Sequence, residues 1–374
     1  MSETTVYLDN AATTRISDNV FDAMLPWLKE GYGNASAIYS LGRKSAIALN
    51  KARSLCAEVL GCESREILFT SGGTESDSTA VLSAARSGRE NGKLHIITSA
   101  IEHHAILRPL EALENDGFRV TRLPVYDNGI VRAEDLEAAL TPDTALVTVM
   151  AANNEIGTVQ PFEQLAGICR EHGVPFHTDA VQAFGQLHIN VRRQNIDMLS
   201  LSGHKLHAPK GTGLLYIRGG LPFHPLLTGG MQQGGRRAGT ENIAGIVGLA
   251  EAMRYAAENI DAKNEHLLPL RERLFREIGS LPGVRINGDT ERRLASNANF
   301  SFEGQEGETL VLKLDLRGIA VSSGSACASG SLDPSHVLTA MGLTHDQARS
   351  SIRVSMSSYT TAADIDALIS ALRS

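Results

Sequence analysis

The stretch EILFTSGGTES, residues 66–76, reads as a β-strand that runs through a glycine turn directly into a helix. Ile67, Leu68 and Phe69 form a short apolar run of the kind a sheet buries, and Gly72 and Gly73 punctuate it before a helical pattern begins. Backbone N–H groups at such a helix start lack intrahelical partners and converge on one point, a ready seat for a phosphate. Read alone, residues 71–74 could equally be a tight turn capped by Thr74.

The same alternation recurs downstream. After EILFT (66–70) come β-rich runs at LHIITS (94–99), FRVTRLPV (118–125), TALVTVM (144–150), VPFHTDAV (174–181), DMLSLSG (197–203) and GLLYIR (213–218). Segments with helical spacing lie between most of them, such as FEQLAGICREHG, whose Gly173 suits a helix C-terminus. Strands alternating with helices predict an α/β fold with a mostly parallel sheet of seven strands, covered on both faces. Near residue 256 the pattern changes to a long amphipathic helix with Leu267, Leu270, Leu274 and Ile278 on one face. Strands NANFSF (297–302), AVSS (320–323) and IRVSM (352–356) follow, then a closing helix from about Ala362. The pattern predicts a large domain over residues 15–255. A smaller α+β domain takes residues 1–14 and 256–374.

At 374 residues the chain exceeds the size at which one hydrophobic core stops growing, in keeping with two domains. A formal charge of −7 argues against direct nucleic-acid binding, which needs a basic surface. The start, MSETTVYLDN, has neither the basic nor the apolar region of a targeting signal, and no apolar run approaches membrane-spanning length. Cys56, Cys62, Cys169 and Cys327 are scattered without CxxC spacing, so neither a disulfide framework nor a zinc site is expected. A reducing cytoplasm fits this usage.

Three further stretches carry chemistry. HTDAVQ (177–182) places Asp179 at the end of an apolar strand, where a carboxylate is costly without a cationic partner, unless it serves as a helix N-cap. LSLSGHK (199–205) places Ser202, His204 and Lys205 after another buried run; a lysine displaced from water is a usable amine nucleophile, whereas a solvated lysine is only a surface charge. SSGSACASGS (322–331) sets Cys327 among Gly, Ala and Ser, too small to pack around a structural thiol and suited to a thiol that reaches and reacts. Phosphate donors, a buried carboxylate and an amine at successive strand ends match a phosphorylated aromatic aldehyde, pyridoxal 5′-phosphate (PLP), held as a Schiff base.

In order along the chain stand YLDNAATT (7–14), SGGTES (71–76), EHHA (102–105), NNEIG (153–157), HTDAVQ, SGHK, AGTEN (238–242), SSGSAC and SSIR (350–353). Together they closely resemble the PLP-dependent cysteine desulfurases of the NifS/IscS type, within the fold-type I, class-V aminotransferase superfamily. The resemblance implies that Lys205 carries PLP and Asp179 pairs with its ring nitrogen. It implies that Gln182 bonds the ring hydroxyl, and that His103 stacks on the ring and moves protons. Gly73, Thr74, Ser202 and His204 would hold the phosphate, helped by Thr240 from the second subunit of a homodimer. Asn154 would touch ring or substrate, and Arg353 would take the substrate carboxylate through a two-pronged pair, assisted by Asn34.

The implied reaction removes sulfur from L-cysteine, leaving L-alanine and a persulfide on Cys327 for transfer to an acceptor protein. EHH at 102–104 reads as a strand with side chains on opposite faces, which argues against a metal cluster. The sequence departs from the family pattern at Ala35, Tyr39, Gly234 and Ser357–Ser358. A selenocysteine lyase and an aminotransferase remain as alternatives that share Asp179 and Lys205. A cofactor-free cysteine protease is a third, from another class.

Overall fold

A computed structural model describes residues 6–323 and 334–373; Cys327 lies outside them. The strands in chain order are β1 (Val6–Tyr7), β2 (Ile67–Thr70), β3 (His95–Ser99), β4 (Arg119–Leu123), β5 (Thr144–Thr148), β6 (Phe176–Asp179), β7 (Met198–Ser202), β8 (Gly213–Ile217), β9 (Val284–Ile286), β10 (Asn297–Phe302), β11 (Ile319–Ala320), β12 (Ser322–Ser323) and β13 (Ser351–Ser355). The seven expected strands β2 to β8 form one sheet in the order β2-β8-β7-β6-β5-β3-β4. Only β8 runs against its neighbours. β2 therefore points the same way as β3, β5, β6 and β7, and all five end at one edge. In open α/β sheets that carboxyl edge is where ligands bind.

The helices are α1 (Asp18–Lys29), α2 (Ser40–Leu60), α3 (Gly73–Glu90), α4 (His104–Asn115), α5 (Ala133–Ala139), α6 (Phe162–Glu171), α7 (Ile243–Glu258), α8 (Ile260–Ile278), α9 (Gly307–Asp315), α10 (His336–Ala340), α11 (His345–Arg349) and α12 (Ala362–Arg373). Because both faces of the large sheet are covered, β3 and β5 bury every residue, which explains their continuous apolar or small-polar sequence. Gly213 opens β8 where an added Cβ would lie 2.6 Å from the Cα of Gly72. A bare backbone there lets the glycine turn before α3 seat against the sheet.

A second sheet, β12-β13-β10-β9, packs against α8 and α12 around Leu267, Leu274, Ile278, Phe300, Ile352 and Leu368. The apolar face expected for the long helix is thus buried. β1 pairs in parallel with β11, and Asp9 bridges Ser355, so the N-terminal arm joins the second sheet. Val337, Leu338, Met341 and Leu343, around α10, pack into the core of the seven-stranded sheet, not into that of the small one. No described helix is long and apolar enough to cross a membrane.

Candidate active site

A cavity of about 310 Å³ opens at the carboxyl edge of the large sheet. Its walls bring together Gly73 and Thr74 from the start of α3, His103 after β3, Asn154 after β5, Asp179 and Gln182 at the end of β6, and Ser202, His204 and Lys205 after β7. Arg353 of β13 closes it from the small sheet, and Ala11 and Ala12 of the N-terminal arm complete it. Ten residues read from the sequence as one site, scattered over positions 73–353, therefore share one cavity. Two do not reach it within a single chain. Asn34 is exposed and accepts the Ser36 N–H at 2.9 Å, and Thr240 is exposed in its glycine-rich loop.

At the base, Asp179 is 7% exposed and accepts the Val181 N–H at 2.8 Å. Burial lifts its carboxyl to about 6, while the Val181 N–H and the Lys205 charge pull it down. Beneath it lies a polar seam across three strands: the His177 ring bonds Thr148 Oγ1 at 2.8 Å and Ser200 Oγ at 2.9 Å. Burial drives His177 down to about 3, so it is a neutral, satisfied core histidine.

Asp77, also in the cavity wall, was not identified in the sequence. It follows Thr74 by three residues on α3 and so shares its helix face, a spacing that could have singled it out. Burial and the neighbouring Asp179 push its carboxyl well above the ordinary range.

Lys205 Nζ donates to the carbonyls of Ala11 and Ala12, each at 2.6 Å. Gln182 Nε2 also donates to Ala11 O, at 3.0 Å. The arm carrying DNAATT thus folds over the amine and holds it at the cavity. His103 is the N-cap of α4, and its Nδ1 accepts the Ala105 N–H at 3.1 Å. The EHH segment is therefore a strand-to-helix turn and not the strand expected for it. Burial, with His104 and Lys205 nearby, lowers His103 to about 4. It is neutral at pH 7, with its proton on Nε2 because Nδ1 is an acceptor. His204 is likewise held down to about 4 by burial and by Lys205 and Lys210.

At the small-sheet side, Arg353 is 2% exposed. Its guanidinium pairs with Asp9 Oδ1 at 2.8 Å and donates to Asn154 O at 3.1 Å. Its Nε is buried with no hydrogen-bond partner among the described residues. Opposite, Gly72 at the N-cap of α3 has no side chain with which to cap the helix, so Thr74 is not the cap of a closed turn. A Cβ on Gly73 would meet Val181 Cγ2 at 2.9 Å, so only glycine leaves this space open.

These features fit PLP: an open helix start for the phosphate, a carboxylate for the ring nitrogen, an amine for the aldehyde and a guanidinium in the cavity wall for a substrate carboxylate. Among the described residues, no group of three His, Cys, Asp or Glu side chains could hold a metal ion.

The model of the class-V aminotransferase family matches residues 6–368. Cysteine desulfurase IscS of Methanosarcina thermophila is 50% identical over 364 residues, 97% of this chain and 90% of its own. Its counterpart in Clostridium botulinum strain Hall is 50% identical over 370 residues, 98% of this chain and 93% of its own. Among solved structures, a NifS-like protein superposes with a TM-score of 0.93 at 38% identity, over 98% of both chains. DndA of Streptomyces lividans does so at 0.81 and 37% identity, over 94% of this chain and 99% of its own. The chain belongs to the class-V aminotransferase family, in its group of NifS/IscS-type cysteine desulfurases.

Proposed function

We propose that this desulfurase takes L-cysteine as substrate, binds PLP in the cavity described, and passes the sulfur through Cys327 to an acceptor protein. The observation that carries this reading is the meeting of Lys205, Asp179, the open start of α3 and Arg353 in one cavity. Cysteine desulfurases of this family are PLP enzymes. When bound, PLP supplies an electron sink conjugated to the substrate's α-carbon.

The chain's own residues divide the remaining work. Gly73, Thr74, Ser202 and His204 would hold the phosphate, while Asp179 would favour a protonated ring nitrogen. Lys205 would anchor the aldehyde and, as a free amine, would move the substrate's α-proton. His103, neutral and with its proton on Nε2, would pack on the ring and serve in proton transfer. Arg353 orients the substrate by its carboxylate, and Asn154 fixes that arginine through its carbonyl. The Cys327 thiolate attacks the substrate sulfur: an S–S bond forms, the Cβ–S bond breaks with its electron pair left on carbon, and protonation there completes L-alanine. The overall balance is L-cysteine plus thiol to L-alanine plus persulfide.

A homodimer fits the exposed apolar side chains Phe21, Leu25 and Leu28 of α1 with the neighbouring Tyr32 and Ile38. In such a dimer Thr240, exposed on its glycine-rich loop, would reach the partner's phosphate site; a PLP-loaded monomer in ultracentrifugation would count against it.

The test of the function is mass mapping after incubation with L-cysteine and no reductant. One added sulfur is expected on Cys327. Cys327→Ser should still change the PLP absorbance on adding L-cysteine yet release almost no sulfide. Near-normal turnover in that variant, or sulfur on another cysteine, would overturn the reading.

A further inference from the structure

Ser335 and His336 follow Cys327 by eight and nine residues and begin α10. Ser335 is the N-cap of that helix: its Oγ accepts the Leu338 N–H at 3.2 Å. Its hydroxyl proton goes elsewhere, in a very short bond to Oε2 of Glu155. Glu155 is 6% exposed and lies in the turn after β5, where Asn153 Oδ1 accepts the N–H of Glu155 at 2.8 Å and of Ile156 at 3.1 Å. The residue before it, Asn154, is the one whose carbonyl fixes Arg353. His336 reaches a second cavity-lining turn. Its Nε2 donates to Glu102 O at 2.9 Å, and its ring lies 4.9 Å from that of His104, so it flanks His103.

A helix cap needs only a hydroxyl for a backbone amide. Pairing that hydroxyl with a buried carboxylate is a costly addition, because an acid removed from water must be offset by its partners. The groups facing Glu155 are the Ser335 hydroxyl and the Arg353 charge, both of which favour its ionised form against burial. An apolar residue at position 155 would give a cheaper core. The acid instead ties the chain just beyond Cys327 to the turn that orients the substrate-binding arginine.

We infer that Ser335 and Glu155, supported by His336 on Glu102, are positioning residues: they fix the start of α10 against the turns holding Asn154 and His103, and persulfide formation on Cys327 depends on that anchor. Sulfur transfer, and not substrate binding, depends on them. This rests on Cys327 being the sulfur acceptor.

The experiment uses PLP-loaded enzyme and two readouts on the same samples: the half-saturation of the L-cysteine-induced absorbance change, and the rate of persulfide formation on Cys327 by mass spectrometry. Ser335→Ala should leave the first unchanged and slow the second on the order of tenfold or more, the scale of a misplaced reacting group. Ser335→Thr, which keeps the hydroxyl, should restore most of the rate. A purely structural role would lower the melting temperature and leave both readouts intact in the folded enzyme, and that result overturns the proposal. So does an equal loss in both readouts. If Ser335→Ala does not fold, Glu155→Leu with Glu155→Gln as its conservative control decides the same question by the same criteria. Wild-type enzyme that forms no persulfide on Cys327 refutes the assigned function instead, so the two failures are distinct.

Discussion

Replacing Arg353 by Lys isolates the two-pronged recognition of the substrate carboxylate. Lysine keeps the positive charge beside Asp9, now 2.8 Å from the guanidinium, so the fold loses little. What disappears is the planar fork that takes a carboxylate through two parallel hydrogen bonds. Losing one charge-assisted hydrogen bond in a site as dry as this one costs about 2 kcal/mol, or roughly thirtyfold in kcat/KM for L-cysteine. The chemical control is cysteamine, which has the amine and thiol of cysteine without its carboxylate. Absorbance titrations with cysteamine should give the same half-saturation in wild type and Arg353→Lys, while L-cysteine should bind more weakly to the variant. Equal weakening for both compounds would show that Arg353 shapes the cavity generally. No effect on L-cysteine would remove it from the substrate site.

The remaining predictions concern the amine, the buried thiols and the buried acid beside His103. Lys205→Ala should abolish the borohydride-stable attachment of PLP, and peptide mapping that finds the cofactor on a different lysine would disprove the assignment. Burial raises the Cys62 and Cys169 thiols to about 12, and Cys56 further still, so almost no thiolate forms on them at pH 8. Iodoacetamide at that pH should label Cys327 well ahead of the other three, and comparable labelling of Cys169 in folded protein would contradict this. Glu102 is fully buried, and desolvation lifts its carboxyl to about 8. The folded state then binds more protons than the unfolded chain between the ordinary carboxyl range and pH 8, so this group's contribution to stability falls as pH rises through that window. Glu102→Gln should remove the slope, gaining on wild type by on the order of 1 kcal/mol per pH unit between pH 6 and 8. A melting difference that does not change with pH would reject that account.

Sequence alone determined the strands of the large sheet, because most of them are short, largely apolar runs buried on both faces, as β2, β3 and β5 are; the edge strand β4, RVTRL, is half-exposed and reads by its β-branched residues instead. It also located most of the cavity residues. Asp179, Ser202 and Lys205 stand at or just after strand ends, and parallel strands must deliver their carboxyl ends to one edge. The family motifs supplied the chemistry that spacing could not. Tertiary structure decided what depends on distant segments meeting. The arm around Ala11 and Ala12 holds Lys205, yet nothing within YLDNAATT signals that its carbonyls face an amine almost two hundred residues away. β1 and β11 are two residues each, too short to carry a periodic signal, and exist only because they pair. Asp77 reads as one more polar helix residue until burial beside Asp179 pushes its carboxyl well above the ordinary range. α10 follows the cysteine segment in sequence but packs into the large core, where Ser335 finds Glu155. Local pattern reports which face of an element is apolar; it carries no information on which buried polar groups will share a site, because their energies are set by neighbours remote in the chain.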